Sequence, residues 1–247
     1  MIDGVFTVVN VLRIFIVATV SFFVALIITP FWSRVLERYN LAKKQITRED
    51  VAPIFSRLHR GKQGTPTMGG VMVWGTVLLV IFGFWFLAQV NPGSALAKLN
   101  FLSRGQTLLP LGVFMLGALL GLADDFLSIR GMGAKGRGLR MRDRIAMYAL
   151  IGLACAWWFY YKLEWDFINI PFFGDLVIGP WYLLFFGFLI LASAFSANET
   201  DGLDGLLGGV SLTMFAALGV IAFVQERMDL VVFIAAIIGA LVAFLWH

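Results

Sequence analysis

Cysteine occurs once in these 247 residues, histidine twice, and charged residues make up only 14%. A single thiol, Cys155, excludes a disulfide framework and a thiolate zinc site within one chain. It lies inside an apolar run, where a free thiol packs as a small hydrophobe. His59 and His247 are too few and too far apart in sequence to build a zinc centre. The shortage of charge excludes most. With 60% of residues hydrophobic, the chain carries more apolar surface than a water-soluble core needs. Repeated runs of about 20 apolar residues instead match a hydrocarbon layer of about 30 Å at about 1.5 Å rise per residue.

Seven such runs are present: Ile14 to Trp32, Met68 to Ala88, Gln106 to Ala123, Ile145 to Tyr161, Ile178 to Ala197, Leu206 to Val224 and Leu230 to Trp246. None contains Lys, Arg, Asp or Glu, and none alternates with a period of two. Backbone groups in lipid must be satisfied inside the segment or in a closed barrel, so uninterrupted runs of this kind predict helices. The expected fold is all-α: a polytopic membrane helical bundle with about seven transmembrane helices, residues 1–247 forming one transmembrane domain. The first run is too long for a secretory signal, lacks a basic region before it and a small-x-small site after it, and is expected to remain as an anchor.

Basic residues orient the bundle. Of 19 Lys and Arg, eight lie between the first two runs and six between the third and fourth, leaving five for the other side. Retention of Lys and Arg in the cytoplasm places the N-terminus outside and segments 33–67 and 124–144 inside, and alternation of the spans sends 197–205, which carries no base, to the same side.

Three of these segments carry residues suited to chemistry. Leu58 to Gly70, LHRGKQGTPTMGG, is basic and glycine-punctuated, and it enters the second run. Lys62, the hydroxyls of Thr65 and Thr67 and the N–H groups at a helix start are suited to an anion such as phosphate. GLADDF sets Asp124 and Asp125 side by side at the end of the third run. Adjacent carboxylates repel and lose hydration at a membrane surface, so they call for a counterion such as Mg²⁺ or for an acidic group to position. SANETDGLDGL has three acids and no base, with Asn198, Asp201 and Asp204 recurring every three residues. In a helix or tight turn that spacing sets them on one side, with Gly202 and Gly205 leaving room for a flat ligand. An Asn oxygen can serve Mg²⁺, and Asp can accept hydrogen bonds from a base or sugar. Gly131, Gly133 and Gly136 spell G-x-G-x-x-G, but no strand precedes this basic loop, so a dinucleotide site is not expected.

Taken together, HRGKQGTPTMGG, GLADDF and NETDGLDGL resemble the motifs of the phospho-N-acetylmuramoyl-pentapeptide transferase family of bacterial membrane enzymes, over about Leu58 to Leu212. The resemblance implies transfer of phospho-MurNAc-pentapeptide from UDP-MurNAc-pentapeptide to undecaprenyl phosphate, with Mg²⁺, giving lipid I and UMP in peptidoglycan biosynthesis. It implies that Asp124 and Asp125 handle the lipid phosphate and that Asn198 is a Mg²⁺ ligand. Lys62, Thr67, Asp201, Gly202, Leu203 and Asp204 would belong to the nucleotide-sugar site. The implied location is the bacterial cytoplasmic (inner) membrane with the active face towards the cytoplasm. Membrane lipid is an implied partner, a homodimer is compatible with it, and nucleic acid is not expected. Ser128 stands where the family usually has Lys, and Glu199 where it usually has an apolar residue. Family members have about ten spans and continue into a G-D-x-G-S loop and a histidine-rich loop, so a truncated chain is expected.

Two other readings are compatible with the residues. A transporter would carry ionisable groups within its spans, whereas all 19 basic and 15 acidic residues lie outside the seven runs. An inactive or scaffold fragment of the same family would share every motif.

Overall fold

A computed structural model describes residues 8–39, 68–103, 105–132, 139–170, 172–201 and 205–246. Among them are seven α-helices: α1 Val8–Arg38, α2 Gly70–Val90, α3 Leu108–Ile129, α4 Met141–Lys162, α5 Trp181–Thr200, α6 Leu206–Val224 and α7 Met228–Trp246. A short 3₁₀ turn, Ala97–Leu99, lies between α2 and α3. Strands β1, Phe167–Ile170, and β2, Gly174–Val177, form an antiparallel hairpin between α4 and α5.

Six of these helices are long and apolar enough to cross a membrane, and the chain is a multi-pass membrane protein. The seventh, α4, falls short of that measure. Its first turn holds Arg142, Asp143 and Arg144, and its far half is rich in Trp and Tyr, which favour the membrane interface over the hydrocarbon. The helices also run past the apolar stretches. α1 continues to Arg38, α3 to Ile129 and α5 to Thr200, so parts of the segments expected as loops are helical. Hydropathy marks where lipid contact ends, whereas intrahelical hydrogen bonds continue until a cap stops them.

The chain divides into two compact units, residues 1–138 with 208–247, and residues 139–207. In the first, α7 is the central helix, with 61% of its apolar window buried against 17% for α1. Small residues account for this. Gly239 lets α7 meet the α1 backbone so closely that a Cβ there would collide with the Ala18 carbonyl oxygen. Val17, Ser21, Ala25 and Thr29, four residues apart, form the buried stripe of α1. The Ser21 hydroxyl donates to the Ala236 carbonyl at 2.6 Å, tying α1 to α7. On α2, Met72, Thr76, Val77, Val80, Ile81 and Phe84 recur at helical spacing on the buried face. Phe114 of α3 meets Phe233 of α7 edge-to-face at 6.1 Å.

One end of this unit is fastened by polar groups. Arg13 near the start of α1 pairs with Asp229 at the start of α7 at 2.8 Å, and donates to the Asn100 carbonyl as well. The Gln106 side-chain oxygen accepts the Asp229 and Leu230 backbone N–H groups at 3.1 and 3.4 Å. It thereby caps two orphan donors of α7 from elsewhere in the chain.

In the second unit α4 and α5 pack through a glycine pair. A Cβ at Gly152 would lie 2.7 Å from the Gly187 carbonyl oxygen, so the two backbones pass in near contact. Phe159 meets Phe186 at 4.8 Å, and Tyr182 stacks on Phe186 at 5.3 Å. The Asp166 carbonyl accepts the Ile178 and Gly179 N–H groups and closes the hairpin base. Asn169 donates to Asp175 at 2.7 Å across the strands, whereas Phe172 and Phe173 at the turn are exposed. The hairpin was not anticipated from sequence. Its signal was the β-prone run Phe-Ile-Asn-Ile followed by Pro171 and Gly174, a strand-and-turn pattern overshadowed by the flanking apolar runs.

Candidate active site

The paired acids lie on α3 of the first unit, and they do not end it. Leu108–Ile129 continues past Asp124 and Asp125 to a closure in which Gly131, at φ +67, follows the Arg130 cap. Met132 N–H donates to the Leu127 carbonyl at 2.9 Å and Gly131 N–H to the Ser128 carbonyl at 3.2 Å, the two bonds of a Schellman ending. Such an ending needs a residue free to adopt positive φ, which Gly131 supplies. Asp124 and Asp125 thereby lie before the last turn, away from the strongest part of the dipole at the helix end. Arg130 supplies positive charge at this end, its guanidinium 4.3 Å from the centre of the Phe126 ring. Ser128 is buried in the last turn.

Asp124 and Asp125 are both half-buried. Asp125 Oδ2 accepts the backbone N–H of Met68 at 3.2 Å. Met68 is itself unusual. It is a bulky, buried residue held at φ +68, a left-handed conformation costing about 1–3 kcal/mol unless the surroundings impose it. Its carbonyl accepts the indole N–H of Trp32, from α1, at 3.3 Å. The third apolar run therefore delivers Asp125 to the backbone at the entry to α2. Trp32 reads in the sequence only as the end of an apolar run, and Met68, although inside the motif segment, carries no side chain that marks it for this contact.

Asn198 lies in the last turn of α5, in the second unit, where its Nδ2 donates to Glu199 Oε1 at 3.4 Å. Thr200 Oγ1 donates to the Ser196 carbonyl at 2.7 Å as the helix closes. Asp201 follows as an exposed cap at φ −76 and ψ 56, and Gly205 adopts φ +76 before α6 begins. The three-residue spacing of Asn198, Asp201 and Asp204 therefore does not run along one continuous helix, because α5 stops at Thr200. Lys62, Thr65, Thr67, Gly202, Leu203 and Asp204 lie outside the described residues. Among those described, no group of three or more His, Cys, Asp or Glu side chains is placed to hold a metal ion.

A multi-pass helical membrane protein with paired acids close to the start of an earlier span is the class these features define. Comparison with known proteins narrows it. Residues 107–247 match the model of glycosyl transferase family 4, and residues 62–72 match phospho-N-acetylmuramoyl-pentapeptide-transferase signature 1. The chain belongs to glycosyl transferase family 4. It is 33% identical over 242 residues to the phospho-N-acetylmuramoyl-pentapeptide-transferase of Chloroflexus aurantiacus, covering 95% of this chain and 60% of that protein. The enzyme of the same name from Chloroflexus aggregans is 32% identical over 242 residues, again covering 95% and 60%. One from Listeria monocytogenes is 31% identical over 192 residues, covering 76% of this chain and 54% of the relative. The chain thus spans about 60% of the length of the Chloroflexus relatives it matches.

Proposed function

We propose that this chain serves the transfer of phospho-MurNAc-pentapeptide from UDP-MurNAc-pentapeptide to undecaprenyl phosphate, leaving lipid I and releasing UMP. The observation that carries the reading is that Met68, inside the signature at 62–72, gives its backbone N–H to the second acid of the Asp pair. Two segments far apart in sequence and joined in function by the resemblance are thus also joined by a hydrogen bond.

The chemistry requires a site at the membrane surface, since one substrate is a lipid and the other a soluble polyanion. Asp124 and Asp125 orient the lipid phosphate and accept its proton, a role open to an ionised carboxylate within hydrogen-bond reach. Lys62 and Thr67 hold phosphate oxygens, while Asp201, Gly202, Leu203 and Asp204 receive the nucleotide and sugar. The donor set, carboxylate and amide oxygens without thiol or imidazole, fits Mg²⁺, with Asn198 as one ligand. When bound, Mg²⁺ would draw negative charge from the diphosphate as UMP leaves. The motif segments face the cytoplasm of a bacterial inner membrane, where the nucleotide substrate is made.

The test is release of UMP from UDP-MurNAc-pentapeptide by membranes carrying the chain, with and without Mg²⁺, beside a full-length relative. Release that needs Mg²⁺ and falls in both Asp125→Ala and Asn198→Ala supports the assignment. Undiminished release in both variants would remove the roles given to these residues.

A further inference from the structure

Trp32 has no part in any motif, yet its indole N–H donates to the carbonyl of the same residue whose N–H reaches Asp125. We infer that Trp32 is a positioning residue for Asp125, acting through the Met68 peptide units. The claim rests on the functional reading above for the role of Asp125, but not for the geometry.

Three observations converge on it. Met68 is held at φ +68, which a residue with a long side chain adopts only when its surroundings fix it. Both of its backbone polar groups bond side chains from other helices, Trp32 of α1 on one side and Asp125 of α3 on the other. The side chain is also buried, so the residue is gripped by packing as well. The Met68 carbonyl also accepts the Val71 N–H at 3.2 Å, so if the indole bond is lost it is held only from its own helix, and φ of Met68 can relax towards the ordinary region. That rotation turns the N–H away from Asp125 Oδ2. The carboxylate then samples more than one rotamer, which weakens its hold on a lipid phosphate but leaves the nucleotide side untouched.

The experiment replaces Trp32 by 3-benzothienylalanine, which keeps the shape of the ring and exchanges N–H for sulfur; Trp32→Phe serves as a second variant. Amide hydrogen exchange in the full chain is followed over residues 68–72, with α7 as internal reference, and steady-state transfer is followed in parallel. Loss of one ordinary hydrogen bond predicts about 5-fold faster exchange over 68–72 with α7 unchanged. KM for the lipid phosphate is expected to rise by a similar factor, about 5-fold, with KM for the nucleotide sugar unmoved. A purely structural loss would reduce active protein and leave both KM values where they were. Unchanged exchange over 68–72, or an unchanged KM for the lipid phosphate beside faster exchange, overturns the inference. If the unsubstituted chain turns over no substrate, the proposed function fails, and the exchange comparison alone decides for or against Trp32.

Discussion

The two ends of the first unit are built differently. Where α1 and α7 begin, an ion pair, a carbonyl contact and a side-chain cap join Arg13, Asn100, Gln106 and Asp229. At the other end, about 29 Å along α1 by its rise per residue, Trp32 and Asp125 meet Met68 through hydrogen bonds of 3.3 and 3.2 Å. The first arrangement joins helix starts directly through charge and caps. The second holds a strained backbone and leaves two acids half-buried. At the first end the polar groups join helices, though Arg13 Nε is buried there with no hydrogen-bond partner among the described residues, whereas at the second they fix one backbone residue.

That contrast can be broken or sharpened by substitution. Gly239→Leu should do most harm, since it forces α7 off the α1 backbone between the two ends. A loss of about 3 kcal/mol in unfolding free energy is expected, read in detergent by thermal or denaturant unfolding. Asp125→Ala should lower UMP release by about 100-fold, equivalent to about 2.7 kcal/mol in the barrier. Its unfolding free energy should change by no more than about 1 kcal/mol, the worth of one hydrogen bond. Arg13→Met acts in the opposite sense, destabilising by about 2 kcal/mol and leaving KM values unaltered. It stays below the cost for a fully buried pair because the two side chains retain 14% and 26% exposure. Adding Asp229→Asn to it should cost less than the sum of the two singles, as for residues that share one contact. Gln106→Ala, which removes only the cap on α7, should cost about 1 kcal/mol and leave transfer unchanged.

Much of this was legible in the residues. Long apolar runs without charge marked the helices because lipid leaves the backbone no other partner than itself. The acids of GLADDF and NETDGLDGL were conspicuous for the same reason, charge beside lipid being costly unless used. The limits of the helices were less legible. Asp124 and Asp125 read as the end of the third span, but α3 continues to Ile129 because the Schellman closure at Gly131 lies further on. Likewise Arg142, Asp143 and Arg144 read as loop and form the first turn of α4. The hairpin Phe167–Val177 went unnoticed because four-residue strands carry little signal beside runs several times longer.

By itself, the order of residues determined that this chain resides in a membrane, about where its helices fall, and which three polar segments set it within its family. These follow from local chemistry, since transfer into lipid depends on each segment's own side chains and backbone. Only the tertiary structure decided that Gly239 is a helix crossing, that Gln106 caps a helix 123 residues away, and that Met68 is gripped between Trp32 and Asp125. Such pairings depend on which helix faces arrive together, and packing of remote segments sets that, not the composition of either one.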